Sequence, residues 1–476
     1  MQSTVLKLKS NSISKFKVFL SDSLESLNAH PTYGQFLSEI KPQLGYKQKK
    51  ALLHIEGNWH LIQVLDEKDA SLNLAELARR KSSDLVESLN QFQLDSVEVH
   101  GNLGGNICLA FAEGLAMANY QFLKYSSKAE KKKNSLKTIY LEGVQEEGIQ
   151  WVNAKLQGNF MARDLVNEPL NTLTATELSN RAAALASEDM KVQVFGKKEI
   201  QEMGMGGLLA VNLGSEDPPS FTIMHYKPKN AKNKKPIALV GKGVVFDTGG
   251  LSLKPTANSM DMMKSDMGGA AAVIGTMKSI QAAKLPVEVI GLVPATDNRP
   301  GKNAYVPSDI ITMYDGTKVE VLNTDAEGRM ILADALAYAK KFEPELCINL
   351  ATLTGAAAYS IGKVACVSMG NAQEGVWKIL DEASTLSGER HARFPFWKEY
   401  QEMIQSDIAD IKNIGGPEGG AITAGKFLEH FTDCPFIHLD IAGPAYLTDN
   451  YLYHPKGGSG FGVRLLSEFL KTMNYG

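Results

Sequence analysis

Three short segments concentrate carboxylates, lysines and glycines. The first runs Gly241-Lys242-Gly243-Val244-Val245-Phe246-Asp247-Thr248-Gly249-Gly250 and continues to Lys254. The second is Met263-Lys264-Ser265-Asp266-Met267-Gly268-Gly269-Ala270, and the third is Asn323-Thr324-Asp325-Ala326-Glu327-Gly328-Arg329. Asp325 and Glu327 lie two apart, so in an extended segment both side chains point to one face. Like charges held on one face repel unless a cation lies between them. With Asp247 and Asp266 in the same crevice, four carboxylates call for metal. Two divalent ions about 3.5–4 Å apart are a common arrangement for hydrolysing a stable bond. Lys242 can ligate only as a neutral amine, so its pKa must fall, which adjacent divalent ions achieve. Lys242 and Asp247 lie five apart, on opposite faces of a straight strand. Gly241 and Gly243 permit the bend or bulge that would reunite them.

Each piece alone has an ordinary reading. A single lysine or acid is usually a solvated surface residue. Asp266 could be a helix N-cap, and Gly-Lys-Gly lacks the spacing of a phosphate-binding loop. Their joint occurrence, each at a strand end or helix start, points to one site. Asp247-Thr248-Gly249 matches the aspartic-protease triplet, but that chemistry needs two aspartates sharing a proton, and the triplet occurs once. The nine histidines include no H-E-x-x-H zinc pair.

The elements that must position these residues follow from apolar patterning. KVQVFG, SFTIMHY, KPIALVGKGVVF, VEVIGLVP, ELCINLATL and PFIHLDIAG are apolar runs typical of strands buried on both faces. Helical stretches separate most of them. The expected fold is α/β: a large C-terminal doubly wound, mainly parallel sheet with helices on both faces, which places ligands at the C-terminal strand ends. Before it, KFKVFL, KALLHI, WHLIQVL, SVEVHG and KTIYLEG read as strands. LNLAELARRKSSDLVESLNQF and NICLAFAEGLAMANYQFL read as helices, so a smaller N-terminal α/β domain is expected. The division is 1–150 for that domain, 151–170 for a connecting helix that stops near Pro169, and 171–476 for the catalytic domain.

A chain of 476 residues exceeds what one core supports. With 44% hydrophobic and 22% charged residues it reads as globular. Its net charge of −3 gives no reason to expect nucleic acid or an anionic membrane as main partner. The basic runs Lys128 to Lys137 and Lys227 to Lys235 read as solvated loops. The N-terminus lacks a signal-peptide core and no stretch has the length of a membrane span, so cytoplasmic residence is the default. Cys108, Cys347, Cys366 and Cys434 are far apart in sequence, form no C-x-x-C pair, and read as small buried hydrophobes.

Together, the three segments resemble the signature of the leucyl (cytosol) aminopeptidase family, of which N-T-D-A-E-G-R is the most specific element. The resemblance extends from about Met161 to the C-terminus. It takes in Ala162-Arg163-Asp164-Leu165-Val166-Asn167, Asn349-Leu350-Ala351-Thr352-Leu353-Thr354-Gly355-Ala356, Ser406-Asp407-Ile408-Ala409-Asp410 and His438-Leu439-Asp440-Ile441-Ala442-Gly443. It implies a metal-dependent aminopeptidase acting on short peptides, with two divalent ions, Mn2+ or Zn2+, per subunit. Lys242, Asp247, Asp266 and Glu327 would hold the more exchangeable ion, and Asp247, Asp325 and Glu327 the tighter one. Lys254 would polarise the scissile carbonyl, and Arg329 would hold a bicarbonate that serves as general base towards the attacking water. The substrate's free amine would bind one ion. Met263, Thr352, Gly355, Ala442 and Ala445, with Leu353 beside them, would line the pocket for the first side chain. Family members assemble as homohexamers. The segment Gly457-Gly458-Ser459-Gly460-Phe461-Gly462 departs from the T-G-R-P of many relatives, and Ala445 replaces a larger methionine that some relatives carry. A nucleic-acid-binding accessory role and an inactive scaffold are the competing readings. All seven ligand and catalytic positions are filled, which argues against the scaffold.

Overall fold

The apolar runs Ile237–Gly241, Val289–Asn298, Leu346–Ala351 and Phe436–Asp440 form the parallel centre of a nine-stranded sheet. Their residues alternate between two hydrophobic clusters. Ile237, Leu239, Ile348 and Leu350 enter one, while Ala238, Val240, Cys347 and Ala351 enter the other. That alternation is why the runs are continuously apolar. Each fully buried Ile or Leu contributes about 1.5–3 kcal/mol. Helices Gly268–Ala282 and Val463–Thr472 complete the first cluster, and Glu327–Ala339 with Gly420–Glu429 borders the second. The sheet is therefore covered on both faces, as its patterning implies.

This is a computed structural model, and it describes residues 4–9, 14–44, 49–65 and 72–473. The sheet is mixed rather than wholly parallel. Ser220–Tyr226 pairs antiparallel with Val289–Asn298, Met190–Phe195 with Ser220–Tyr226, and Cys366–Gly370 with Phe436–Asp440. Gly243–Asp247 leaves the main path and pairs only with Val289–Asn298. The short strands Ile310–Thr312, Lys318–Glu320 and Ile411–Lys412 form a separate three-stranded sheet that the sequence reading did not anticipate. Two or three residues carry too little periodicity to be read as strands.

The chain divides into two units, Met1–Gln157 with Asp449–Lys456, and Gly158–Thr448 with Gly457–Gly476. The dividing point falls inside one helix, Glu146–Asn167. The first unit holds a six-stranded sheet in the order Val5–Leu8, Thr138–Leu141, Ser96–Gly101, Phe16–Ser21, Asn58–Val64, Lys50–Ile55. Only its last pair is antiparallel. Arg79 and Lys155 lie 2.6 and 3.0 Å from the carboxylate of buried Glu113.

Two expectations need correction. Cys434 is only half-buried, and its thiol interacts with that of Cys347, so these two cysteines are neighbours in space. Register explains it: Cys347 pairs with Phe436 across parallel strands, two residues from Cys434. The glycines flanking Lys242 are also needed for a different reason from the one expected. A Cβ on Gly241 would lie 2.6 Å from the Gly269 carbonyl oxygen, and one on Gly243 would lie 2.5 Å from that of Pro294. They permit close packing of a helix and a strand. The bulge itself lies further on, between Val244 and Asp247.

The two basic runs behave as surface segments. Lys227, Lys229 and Lys235 pair with Glu288, Glu188 and Glu343, and Lys128 to Lys137 contains a single helical turn, Ala129–Lys132.

Candidate metal centre and active site

Five polar residues sit at the C-terminal ends of the sheet's strands. Asp247, Asn298 and Asp440 are the last residues of theirs, and Lys242 and Thr352 follow Ile237–Gly241 and Leu346–Ala351 directly. Helix Gly268–Ala282 is docked against these ends: Ala270 donates to the Lys242 carbonyl at 2.8 Å. A Cβ on Gly269 would fall 2.1 Å from the Leu350 carbonyl oxygen. That docking carries Asp266, which caps the C-terminus of the 3-10 turn Met260–Ser265. Asp266 is not the N-cap of the helix, since that position is Met267.

The third segment is not extended. Asp325 lies in a turn, and Glu327 is the first residue of helix Glu327–Ala339. The two carboxylates converge because a turn feeds a helix, rather than by strand alternation. The dipole of that helix favours a carboxylate in its first turn.

The side chains form a charge lattice. Lys242 Nζ lies 2.8 Å from both oxygens of Asp266 and 2.9 Å from Glu327 Oε1, and it donates to the Thr352 carbonyl at 3.0 Å. Lys254 Nζ lies 2.9 Å from Asp247 Oδ2 and also pairs with Asp325 Oδ1. Asp247, Asp325 and Glu327 each offer a carboxylate oxygen within 4.8 Å of the others'. Lys242, Asp247, Asp266 and Glu327 are all buried.

Burial and mutual repulsion dominate the electrostatics. The Asp325 carboxyl is pushed up to about 7 by burial, then by Asp247 and Glu327. Burial raises Glu327 and Asp266 as well, with neighbouring carboxylates adding to it. For Lys242, burial acts against the charge, but Asp266, Glu327 and Asp247 outweigh it and hold the amine cationic. Lys254 is raised in the same way, chiefly by Asp247 and Glu327 against its burial. A fall in the Lys242 pKa would have to come from adjacent divalent ions, since the surrounding protein groups raise it.

The turn Thr248-Gly249-Gly250 needs its glycines. Gly249 has φ +85°, and a Cβ there would lie 2.9 Å from Asp325 Oδ1. Gly328 is needed for space: its Cβ would lie 2.4 Å from Lys242 Cε and 2.7 Å from Nζ. Gly328→Ala should fold, because the obstructed atoms end a flexible side chain. It should nonetheless evict the Lys242 amine from between Asp266 and Glu327. If Lys242 helps hold a divalent ion, titration with Mn2+ should then show about 10–100-fold weaker binding; unchanged affinity would refute this account of Gly328.

Arg329 is buried, donates from Nη1 to the Asn413 carbonyl at 2.6 Å, and has an Nε without a hydrogen-bond partner among the described residues. Burial lowers its pKa to about 10.

The pocket residues divide. Thr352 donates from Oγ1 to Asp266 Oδ1 at 2.8 Å. Its Cγ2 and the Ala445 Cβ approach the same point beside Gly268, at 3.1 and 3.3 Å from a Cβ built there. Met263 is half-buried in the 3-10 turn, and Ala445 is buried. Gly355 is exposed, with only Tyr359 of its own helix near an added Cβ. Leu353 and Ala442 are joined by Asp440, whose Oδ1 accepts both their N–H groups at 3.2 Å while Oδ2 accepts Thr354 Oγ1 at 2.7 Å. Sequence reading quoted Asp440 without a role. Its trace in the sequence, an acid ending a strand otherwise buried on both faces, is the same as that of an ordinary strand terminus.

Residues 160–467 match the catalytic domain of the cytosol aminopeptidase family. A probable cytosol aminopeptidase of Chlorobium limicola is 48% identical over 77% of this chain and 75% of its own length. One from Aquifex aeolicus is 42% identical over 83% and 81%. Among solved structures, a tomato leucine aminopeptidase mutant aligns with TM-score 0.86 and 28% identity, over 99% of this chain and 96% of that one. The bottromycin maturation enzyme BotP in complex with Mn aligns with TM-score 0.84 and 29% identity, over 96% and 99%. The fold is thus that of an aminopeptidase, a hydrolase of peptides. The chain belongs to the cytosol aminopeptidase family. No helix among the described residues is long and apolar enough to cross a membrane.

Proposed function

We propose that this protein removes the N-terminal residue from short peptides by hydrolysis at a centre of two divalent ions. The observation that carries the reading is the convergence of Asp247, Asp325 and Glu327, with carboxylate oxygens within 4.8 Å, beside Asp266 and Lys242. So many acids in one place raise one another's pKa, and a donor set this rich in carboxylate oxygens suits divalent cations. Asp247, Asp325 and Glu327 would hold one ion, and Lys242, Asp247, Asp266 and Glu327 the other. The ions would supply a water of lowered pKa and Lewis-acid polarisation of the carbonyl. Oxygen-rich ligation suits manganese, and zinc also accepts carboxylates.

The chain's own groups do the rest. Lys242 must surrender a proton to ligate, because the carboxylates keep its amine charged. Lys254 reaches the edge of the cluster and is placed to meet the scissile carbonyl oxygen as negative charge develops. Arg329, with an Nε free to donate, is suited to a small planar anion such as bicarbonate. Thr352, Ala445, Met263, Leu353, Gly355 and Ala442 would shape the pocket for the first side chain. Cytoplasmic residence and homohexamer assembly belong to the same reading. Leu251, Leu253, Trp397 and Tyr359 expose apolar surface suited to subunit contacts. Lys227, Lys229 and Lys235 pair with acids, which supports reading the run 227–235 as a solvated segment rather than a nucleic-acid contact.

N-acetylated peptides should be cleaved far more slowly than the same peptides with free amines, because the amine is expected to ligate an ion. Bulky apolar first residues should be accepted beside the small Ala445. Parallel hydrolysis assays test both points. Rapid cleavage of the acetylated series would overturn the exopeptidase reading, and a strict preference for acidic first residues would overturn the pocket.

A further inference from the structure

Asn298 ends the strand Val289–Asn298 and is fully buried. Its amide Nδ2 donates to Asp247 Oδ1 at 2.8 Å and to the Thr324 carbonyl at 3.0 Å. An amide NH2 has two hydrogens, and both are used. Asp247 Oδ1 also accepts the Gly249 N–H at 2.8 Å. That oxygen is therefore committed to two donors, while Oδ2 faces Lys254 at 2.9 Å on the side of the carboxylate cluster.

The backbone of Asn298 holds the same strand. Its carbonyl accepts the Thr248 N–H at 3.0 Å and Thr248 Oγ1 at 2.8 Å. Asp247 and Asn298 are register partners just past the bulge. Thr324, the other target of the amide, directly precedes Asp325. It is further tied by the Tyr305 hydroxyl, which donates to its carbonyl at 2.9 Å, and by its own Oγ1, which donates to the Gly249 carbonyl at 2.7 Å. One NH2 group thus links two of the proposed ligand-bearing segments, from a buried residue that no other part of the functional reading uses.

We propose that Asn298 is a positioning residue for the metal centre. Its amide turns Asp247 so that Oδ2 is presented to the ions, and it sets the distance from Asp247 to the Asp325 turn. The inference rests on the two-ion reading. A carboxylate that ligates metal is commonly oriented by such a donor, and losing the donor lowers metal affinity even though no ligand is lost.

The test compares wild type with Asn298→Asp and Asn298→Ala. Asn298→Asp keeps the volume and leaves at most one of the two donated bonds, since a carboxyl carries at most one hydrogen; Asn298→Ala removes the side chain. For each full-length protein, the dissociation constants for Mn2+ at both sites are measured by competition with a chromophoric chelator. The melting midpoint of the metal-free protein is measured alongside. Both variants should bind Mn2+ about 10–100-fold more weakly. Asp247 is proposed to serve both ions, so both sites should weaken. Affinity within about twofold of wild type in a folded variant, with or without a lower metal-free midpoint, would show a merely structural residue and overturn the proposal. Asn298→Asp decides the matter if Asn298→Ala does not fold. Wild type that binds no divalent ion would instead overturn the two-ion reading itself, and this inference with it.

Discussion

Stripping divalent ions should take peptide hydrolysis down to background, and adding Mn2+ or Zn2+ should restore it. The physical reason lies in the lattice around Asp247, Asp266, Asp325 and Glu327. Lys242 and Lys254 pair with those carboxylates, and neither ammonium can activate water. The fold should survive, because both hydrophobic clusters form without any contribution from the four carboxylates. The melting midpoint should nevertheless fall on chelation. A ligand that binds only the folded state at about 100 times its Kd adds about 2.7 kcal/mol. Activity and melting, measured before chelation, after it and after repletion, check both parts. Full turnover in a rigorously metal-free sample would remove the mechanism.

Lys254→Ala should keep two ions and lose turnover. Lys254 reaches Asp247 and Asp325 from the edge of the cluster and is less deeply buried than Lys242. Its contact with the substrate oxygen should strengthen as charge builds, so its loss acts on the transition state more than on binding. Removing one such donor costs about 10²–10³ in turnover, roughly 2.7–4 kcal/mol. Removing its positive charge leaves the carboxylates at least as attractive to a divalent ion. Lys242→Ala should behave oppositely, since it deletes a proposed ligand, and should fall short of two ions per chain. Metal stoichiometry beside kcat for both variants separates the roles. A Lys254→Ala protein that loses an ion, or that turns over at nearly the wild-type rate, would show that Lys254 does something else.

Much of this was legible in one dimension. Central strands buried on both faces must be apolar at every position, so Ile237–Gly241 and Leu346–Ala351 stand out. Short strands such as Ile310–Thr312 and Lys318–Glu320 bury little and leave no such trace. Asp247, Asp266, Asp325 and Glu327 announced themselves because charged residues clustered with glycine where strands end or helices begin have few structural reasons to be there. Asn298 and Asp440 did not, because a single polar residue ending an apolar run reads as an ordinary strand terminus.

The residue types and their order alone determined that a set of acids would gather where strands end and helices begin at one edge of a covered sheet. Hydrophobic periodicity is a local property, and so is the chemistry of each donor. Only the tertiary structure decided how the set closes. It placed the bulge after Val244 rather than at the glycines, and it reserved Gly241 and Gly328 for close approach. It brought Asp325 and Glu327 together through a turn and a helix start, and it gave Asp247 to Asn298 from 51 residues away. Those outcomes depend on which backbone meets which across the sheet, and on atoms competing for the same space. No spacing along the chain encodes either.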